Sequence, residues 1–154
     1  MNSFSAENKP QNSETEIKCP LKAIHVEDDE AIRALVKIQL GGVPNEIQLI
    51  ESFPDTETAE EYLKVPNNKP DLIISDNNLG NGKRKGVDFV KWVRSQKDLI
   101  EVPFILLTAD SVKPGSIAES IIKKNGVTAI VSKFDLPALI PTLKTFIPQQ
   151  PAQK

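Results

Sequence analysis

The side chains that could carry chemistry in this sequence stand directly after short apolar runs. Asp76 follows the run Leu72 to Ile74 in the stretch PDLIISDNNLG, and a carboxylate at the edge of a core costs free energy unless something pairs with it. Other apolar runs are followed in the same way by Glu27, Asp28 and Asp29 after KAIHV (22–26), Thr108 after PFILL (103–107), and Lys133 just past TAIV (128–131). Acids, a hydroxyl and an ammonium group therefore share one kind of position, just past the end of a short apolar run.

The chemistry of these groups depends on whether they come together. Taken singly, Asp28 or Asp29 could cap the helix that follows, and the hydroxyl and the ammonium group could be ordinary turn and surface groups. Neighbouring strands lie about 4.8 Å apart, so Asp28 and Asp76 would face each other if their strands are neighbours. Two carboxylates this close cannot both stay ionised without cost, and a bound cation would resolve the repulsion. Oxygen ligands completed by water suit Mg²⁺.

The spacing of apolar residues predicts the elements that would position these groups. Strands are predicted at 22–26, 46–52, 71–75, 103–107 and 128–131. Helical spacing follows each strand: Ile32, Leu35, Val36 and Leu40; Ala59, Tyr62 and Leu63 behind an N-cap at Asp55; Phe89, Val90 and Val93; Ile117, Ile121 and Ile122; and Leu136, Leu139, Ile140, Leu143 and Ile147. This alternation implies an α/β fold with a five-stranded parallel sheet, helices on both faces, and a site at the carboxyl ends of the strands.

Composition is that of one ordinary globular domain. The chain has 154 residues and a net charge of −2, which does not favour nucleic-acid binding. Cys19 and His25 are the only residues of their types, so an internal disulfide and a two-histidine metal site are excluded. The polar N-terminus is not a secretory signal, and no apolar run is long enough to span a membrane. We expect a cytoplasmic protein with disordered tails at 1–20 and 148–154 around a domain at 21–147.

Four successive motifs resemble those of a known family. HVEDDEAIRALV, PDLIISDNNL, FILLTAD and IVSKF come in the order and spacing of the receiver domain of response regulators in two-component signalling, and the resemblance covers residues 21–147. It implies the flavodoxin-like receiver fold, with strand order 2-1-3-4-5. We expect no further domain after the last predicted helix, and hence a stand-alone receiver that signals through protein contact or onward phosphotransfer.

The resemblance assigns a role to the strand-end residues. Asp76 matches the aspartate that accepts a phosphoryl group from the phosphohistidine of a histidine kinase or a histidine phosphotransfer protein. Thr108 matches the hydroxyl that turns toward the phosphoryl oxygens, and Lys133 matches the lysine that pairs with them. The implied protein is a phosphoacceptor switch and not an enzyme. Its downstream partner is an unidentified protein, and no nucleic acid or membrane is implied.

The same resemblance implies a Mg²⁺ site. Asp28 would bind the ion directly, Glu27 directly or through water, and Asp76 would share it. The main-chain carbonyl of Asn78 would complete the protein ligands. Phosphoryl transfer depends on neutralising the transferred oxygens, and Mg²⁺ together with Lys133 would supply the positive charge.

The loop after Asp76 departs from the family pattern. Gly86, which opens the next helix, lies ten positions after Asp76, a longer interval than is usual. The loop carries three consecutive cations at 83–85. These cations could guide an acidic partner to the site, or they could simply be solvated in an exposed loop.

The end of the domain departs from the pattern as well. Phe134 replaces the proline that normally follows the lysine, so a trans peptide bond is expected there. Ile130 replaces the aromatic switch residue of the family, so an aromatic flip cannot report phosphorylation in this chain. Pro141 falls inside the predicted last helix, where a proline removes a hydrogen bond and clashes with the preceding turn.

Two other functions remain open on the sequence alone. A degenerate receiver would keep the fold and act as a constitutive protein-binding module; Ile130 and Phe134 favour it, whereas the full acid set and Thr108 oppose it. A haloacid-dehalogenase-like phosphatase also uses a strand-end aspartate, a hydroxyl, a lysine and Mg²⁺. It needs an acid–base aspartate two positions after the nucleophile, where this chain has Asn78.

Overall fold

The computed structural model describes residues 20–80 and 82–148 of the chain. Its strands are β1 (Leu21–Val26), β2 (Ile47–Phe53), β3 (Leu72–Asp76), β4 (Phe104–Thr108) and β5 (Ala129–Ser132). Its helices are α1 (Glu30–Gly41), α2 (Thr56–Leu63), α3 (Gly86–Ser95), α4 (Ile117–Lys124) and α5 (Leu139–Lys144), with 3₁₀ turns at Pro66–Asn68, Lys97–Leu99 and Lys133–Ala138. Strands and helices therefore alternate as predicted.

The strands form one parallel sheet in the order β2-β1-β3-β4-β5, so the predicted order is confirmed. All five residues of β3 are buried, which explains the unbroken apolar run from Leu72 to Ile74 at its start. β3 and β4 each end one residue later than predicted. Asp76 and Thr108 are therefore the last residues of their strands, paired with Leu107 and Ser132 in the neighbouring strands.

Two hydrophobic clusters cover the two faces of the sheet. On one face, α3 packs on the central strands through Phe89, Val90 and Val93. On the other, the contributions of α1 and α5 are Val36, Leu40, Leu139 and Leu143. The sheet is thus held between helices on both sides, and its carboxyl edge is the place where polar side chains emerge.

Aspartates cap the first two helices. The carboxylate of Asp29 accepts hydrogen bonds from the main-chain N–H groups of Ala31 (2.8 Å) and Ile32 (3.3 Å), so Asp29 is the N-cap of α1. Asp55 caps α2 as predicted. Because the Asp29 carboxylate accepts hydrogen bonds from the free N–H groups at the start of α1, Asp28 is not needed as a helix cap.

The last helix is shorter than predicted. Leu136 lies in the 3₁₀ turn before α5, and Ile147 lies beyond the end of α5. A residue that precedes a proline, as Leu136 precedes Pro137, is disfavoured in the helical conformation, which accounts for the late start. Pro141 is consequently the third residue of α5, in the first turn, where N–H groups have no partner within the helix. The predicted clash of Pro141 with a preceding helical turn is therefore wrong.

The predicted tails at 1–20 and 148–154 lie outside the described residues, apart from residues 20 and 148. Over the described ranges, no helix combines the length and the apolar character that crossing a membrane requires.

Candidate functional site

The carboxyl edge of the sheet brings three carboxylates together. Glu27 and Asp28 follow β1 directly, and Asp76 ends β3, which pairs with β1. One carboxylate oxygen from each of the three lies within 4.8 Å of the others. Glu27 and Asp76 are buried, with 0% and 2% of their surfaces exposed, whereas Asp28 is exposed. The structure thus groups the three acids that the sequence singled out.

Lys133 reaches this cluster from the turn after β5. Its Nζ donates a hydrogen bond to Oδ2 of Asp76 at 2.8 Å and another to Oε2 of Glu27 at 3.2 Å. The same Nζ lies 3.1 Å from Oε1 of Glu27, but Oε1 accepts no hydrogen bond from the described residues. The Lys133 ammonium group therefore pairs with both buried carboxylates of the cluster.

The residues beside Lys133 do not prevent this contact. Phe134 is 84% exposed, and its N–H donates to the side-chain hydroxyl of Ser132 at 3.0 Å, which caps the turn that presents the lysine. Ile130 is half-buried and packs against the cluster on the α3 face. A phenylalanine after the lysine is thus compatible with the Lys133–Asp76 pair.

The electrostatics of the cluster are unbalanced. The pKa of Glu27 is raised to about 7, first by burial and then by the neighbouring Asp76 charge, which together outweigh the hydrogen bond and the charge of Lys133. Burial alone would lower the pKa of Lys133, but its hydrogen bonds and charge interactions with Asp76 and Glu27 outweigh burial and raise it. The cluster thus has three carboxylates, and its ammonium group pairs with two of them. A low-dielectric site with excess negative charge favours either a proton or a cation.

Thr108 and Asn78 lie beside the cluster. Thr108 is 3% exposed, and its hydroxyl oxygen accepts a hydrogen bond from the N–H of Asp110 at 3.0 Å. No hydrogen bond joins Thr108 to Asp76 in the described part of the chain. The N–H of Asn78 donates to Oδ1 of Asp76 at 3.3 Å, so this residue starts the loop against the acidic cluster.

Sequence reasoning missed two residues at the site. Nη1 of Arg33 donates a hydrogen bond to the main-chain carbonyl of Glu27 at 2.6 Å. Arg33 lies in the first turn of α1, and an N-cap at Asp29 would have predicted that this turn starts next to Glu27. His25 is fully buried in β1, and neither ring nitrogen has a hydrogen-bond partner among the described residues. Burial first, then the charges of Lys133 and Arg33, lower the pKa of His25 to about 3.

Two of the three loop cations are paired with acids, one at the N-cap of α2 and one within α2. Nζ of Lys83 lies 3.7 Å from a carboxylate oxygen of Asp55, and Arg84 forms an ion pair with Glu60. No such pair involves Lys85 within the described ranges. The sequence offered two interpretations of these cations, steering of an acidic partner and solvation in an exposed loop. The ion pair of Arg84 with Glu60 fits neither of them.

A five-stranded parallel sheet in this order, with clustered acids, a threonine and a lysine at its carboxyl edge, defines a receiver domain of the response-regulator class. A profile of the response regulator receiver domain matches residues 23–144. The chain belongs to this family.

Known proteins similar to this chain include other response regulators. The polar-differentiation response regulator DivK of Brucella ovis is 32% identical over 79 residues, which is 51% of this chain and 60% of DivK. DivK of Brucella anthropi is 31% identical over 80 residues. The chain thus aligns with about three-fifths of the length of these curated relatives.

Two solved structures share the fold. The Mn²⁺-bound form of the response regulator Rcp1 is 23% identical, with a TM-score of 0.64 and coverage of 86% of this chain and 100% of that one. The phosphorylated cyanobacterial phytochrome response regulator RcpA is 26% identical, with a TM-score of 0.61 and coverage of 81% and 89%.

Proposed function

We propose that the protein is a phosphoacceptor switch in which Asp76 receives a phosphoryl group from the phosphohistidine of a histidine kinase or a histidine phosphotransfer protein. The observation that supports this most directly is the buried Asp76 carboxylate, 2.8 Å from the Lys133 ammonium and grouped with two further acids. Phosphoryl transfer asks a protein mainly for a positioned nucleophile and for positive charge around the transferred oxygens. The edge of this sheet offers both.

The transfer itself needs few groups. A carboxylate oxygen of Asp76 attacks phosphorus, the phosphorus–oxygen bond forms as the phosphorus–nitrogen bond to the donor imidazole breaks, and the imidazole takes up a proton from water. Lys133 lies against Asp76 and offers its charge to the phosphoryl oxygens. The Thr108 hydroxyl, on the neighbouring strand end, can offer a hydrogen bond to one of them. Nothing in this sequence of events requires an acid–base residue at position 78, unlike a haloacid-dehalogenase-like phosphatase.

We further propose that the acids hold Mg²⁺. Oxygen-only ligands, two of them from buried residues, and an Oε1 of Glu27 that accepts no hydrogen bond from the described residues fit a hard divalent cation that keeps several waters. Glu27, Asp28, Asp76 and the main-chain carbonyl of Asn78 would hold it. When bound, the ion would neutralise charge on the transferred phosphoryl group. The neighbour Rcp1 was crystallised with Mn²⁺, a cation with similar ligand preferences.

Signalling would follow from a shift of the strand ends toward the new charge. A phosphoryl group on Asp76 adds roughly two negative charges, and Thr108 and Lys133 are the groups positioned to respond. α4 has no buried residue, so little packing holds it in one position. With Ile130 in place of an aromatic ring, we expect a modest population shift, sensed by a separate protein.

The acceptor is tested by incubating the chain with a small phosphodonor, such as phosphoramidate, and Mg²⁺, followed by intact-mass spectrometry. We expect one added phosphoryl group on the wild type and none on Asp76→Asn. Asp110→Asn is the matched control, because Asp110 lies near the site but outside the acid cluster, and this variant should be labelled normally. Labelling of Asp76→Asn at the wild-type level would show that the acceptor is wrong.

The switch is tested by backbone NMR with beryllofluoride and Mg²⁺. We expect chemical-shift changes in residues 108–117 and 129–141 as well as around Asp76. Changes confined to 76–86 would favour the alternative, a constitutive protein-binding module. A Mg²⁺ titration of Asp28→Ala provides the metal test, since this variant should bind the ion more weakly than the wild type.

A further inference from the structure

The loop between β3 and α3 carries one proposed ligand of the metal, and the structure shows how that loop is held. Asn78 is followed by Leu79, which is 2% exposed and packs in the α3-face cluster. At the far end of the loop, the N–H of Gly86 donates to the carbonyl of Asn77 at 2.9 Å. Gly80 has a positive φ of 106°, and a side chain there would lie 3.6 Å from Oδ2 of Asp28. At Gly80, the loop backbone thus passes beside the Asp28 carboxylate.

The middle of this loop is fastened to α2. Arg84 pairs with Glu60, a residue whose side chain is only 11% exposed. A carboxylate with so little access to water needs a counter-charge, and Arg84 supplies it from 24 positions away. In the Lys83–Asp55 pair, Nζ and the carboxylate oxygen lie 3.7 Å apart and the lysine side chain is 47% exposed. This solvated pair therefore contributes less to holding the loop than the Glu60–Arg84 pair does.

We infer that the Glu60–Arg84 pair is a positioning device that fixes the β3–α3 loop and thereby sets the affinity of the acidic cluster for Mg²⁺. This inference rests on the proposed function. Glu60 and Arg84 would not touch the ion; they would act through the loop backbone that carries the Asn78 carbonyl. Supporting contacts of this kind commonly change metal affinity without contributing a ligand.

For Arg84→Gln, the loss of charge and the loss of loop positioning predict opposite changes in Mg²⁺ affinity. Arg84→Gln removes a positive charge near a cation site, and the loss of Coulomb repulsion alone should then make Mg²⁺ bind more tightly. If the pair positions the loop, Mg²⁺ should instead bind more weakly. Lys85→Gln removes the same charge one residue away, and Lys85 forms no ion pair within the described ranges, so this variant measures the charge effect by itself.

The experiment is a Mg²⁺ titration of the full chain, followed through the NMR amide shifts of Asn78, Leu79 and Gly80. For Arg84→Gln and Glu60→Gln we expect Kd for Mg²⁺ to rise at least about threefold, a smaller effect than the roughly tenfold or more that is typical of residues bonded directly to a metal ligand. For Lys85→Gln we expect an unchanged or lower Kd. The conservative variant Arg84→Lys keeps the charge and should restore most of the affinity.

A second readout does not depend on the metal. Amide hydrogen exchange at Leu79 and Gly80 should be faster in Arg84→Gln than in Lys85→Gln, because only the former releases the loop. Thermal melts of each variant show that the fold is retained.

The outcomes separate the inference from the proposed function. If Arg84→Gln binds Mg²⁺ as tightly as Lys85→Gln while Asp28→Ala loses binding, the inference is refuted and the metal site stands. If the wild type binds no Mg²⁺, or if Asp28→Ala binds as well as the wild type, the proposed metal site is refuted and the inference with it.

Discussion

Gly86 is the residue at which the structure allows the sharpest test of how the acceptor strand is held. It opens α3, and its backbone lies against the end of β3. A Cβ built at this position would lie well within 3.0 Å of the main-chain oxygen of Asp76 and 2.9 Å from Cδ1 of Leu106. Real Cβ atoms essentially never approach other heavy atoms this closely. Gly86→Ala therefore forces α3 and the end of β3 apart.

The size of the effect follows from which atoms are in the way. Overpacking a core by one methyl group typically costs about 1–3 kcal/mol, and the upper part of that range applies because a main-chain oxygen cannot rotate aside. Alanine is favoured over glycine in helices by about 0.5–1 kcal/mol, which offsets part of the cost. We expect a net loss of about 2 kcal/mol, equivalent to a fall in Tm of about 6 °C for a domain of this size.

The measurement is urea and thermal unfolding followed by circular dichroism. Gly41→Ala is the matched control. Gly41 is the last residue of α1, and an added Cβ there would meet nothing within 4 Å, so this variant should be neutral or slightly stabilised. Since the displaced atoms include the main chain of Asp76, Gly86→Ala should also be phosphorylated more slowly by a small phosphodonor.

The argument fails if Gly86→Ala unfolds within about 0.5 kcal/mol of the wild type, the range of ordinary surface substitutions. It also fails if Gly41→Ala is destabilised as much as Gly86→Ala, because the effect would then reflect glycine replacement in general and not the close approach to Asp76.

Three further predictions concern stability, each measured by urea unfolding. The Arg94 guanidinium donates hydrogen bonds to four main-chain carbonyl oxygens in the segments that precede β4 and β5. Arg94→Met should therefore lower the free energy of unfolding by about 2–4 kcal/mol. A loss below about 1 kcal/mol would show that these hydrogen bonds are dispensable. Burial, reinforced by two nearby cations, lowers the pKa of His25 from 6.5 to about 3, so at His25 the unfolded chain binds a proton as pH falls below about 6.5 and the folded chain does not. Between pH 7.5 and 5, the unfolding free energy of His25→Leu should therefore rise by about 2 kcal/mol relative to that of the wild type, whereas a constant difference would contradict a buried neutral imidazole. Asp55→Ala removes the N-cap that accepts the N–H of Thr58 at 2.9 Å and should cost about 1 kcal/mol, while Asp55→Asn, whose side-chain oxygen can still accept this hydrogen bond, should cost clearly less.

Local sequence patterns were sufficient to predict the strands and helices and their order along the chain. Alternating apolar runs and helical spacings predicted every strand and helix to within a few residues, because the period of the apolar residues is set by the geometry of each element. The unbroken run before Asp76 predicted a strand buried on both faces, and this is β3. The order of the strands came from the family resemblance, since spacing alone leaves several parallel arrangements possible.

Element ends were less well determined. The strand ends were misplaced by one residue at Asp76 and Thr108, and the late start of α5 depends on Pro137 and on packing against the sheet. An apolar pattern fixes which face of an element is buried but not where its last hydrogen bond falls. Only the structure showed that Pro141 lies in a first turn, where it is tolerated.

The sequence by itself determined which groups stand at the carboxyl edge of the sheet: the acids after β1, the aspartate that ends β3, the threonine that ends β4 and the lysine after β5. Tertiary structure decided how those groups pair. Lys133 meets Asp76 across 57 positions of chain, and Arg84 meets Glu60 across 24; neither contact leaves a local periodic signal. Such pairs form because a buried charge must find a counter-charge wherever the fold brings one within reach, and that reach is a property of the packed sheet and helices.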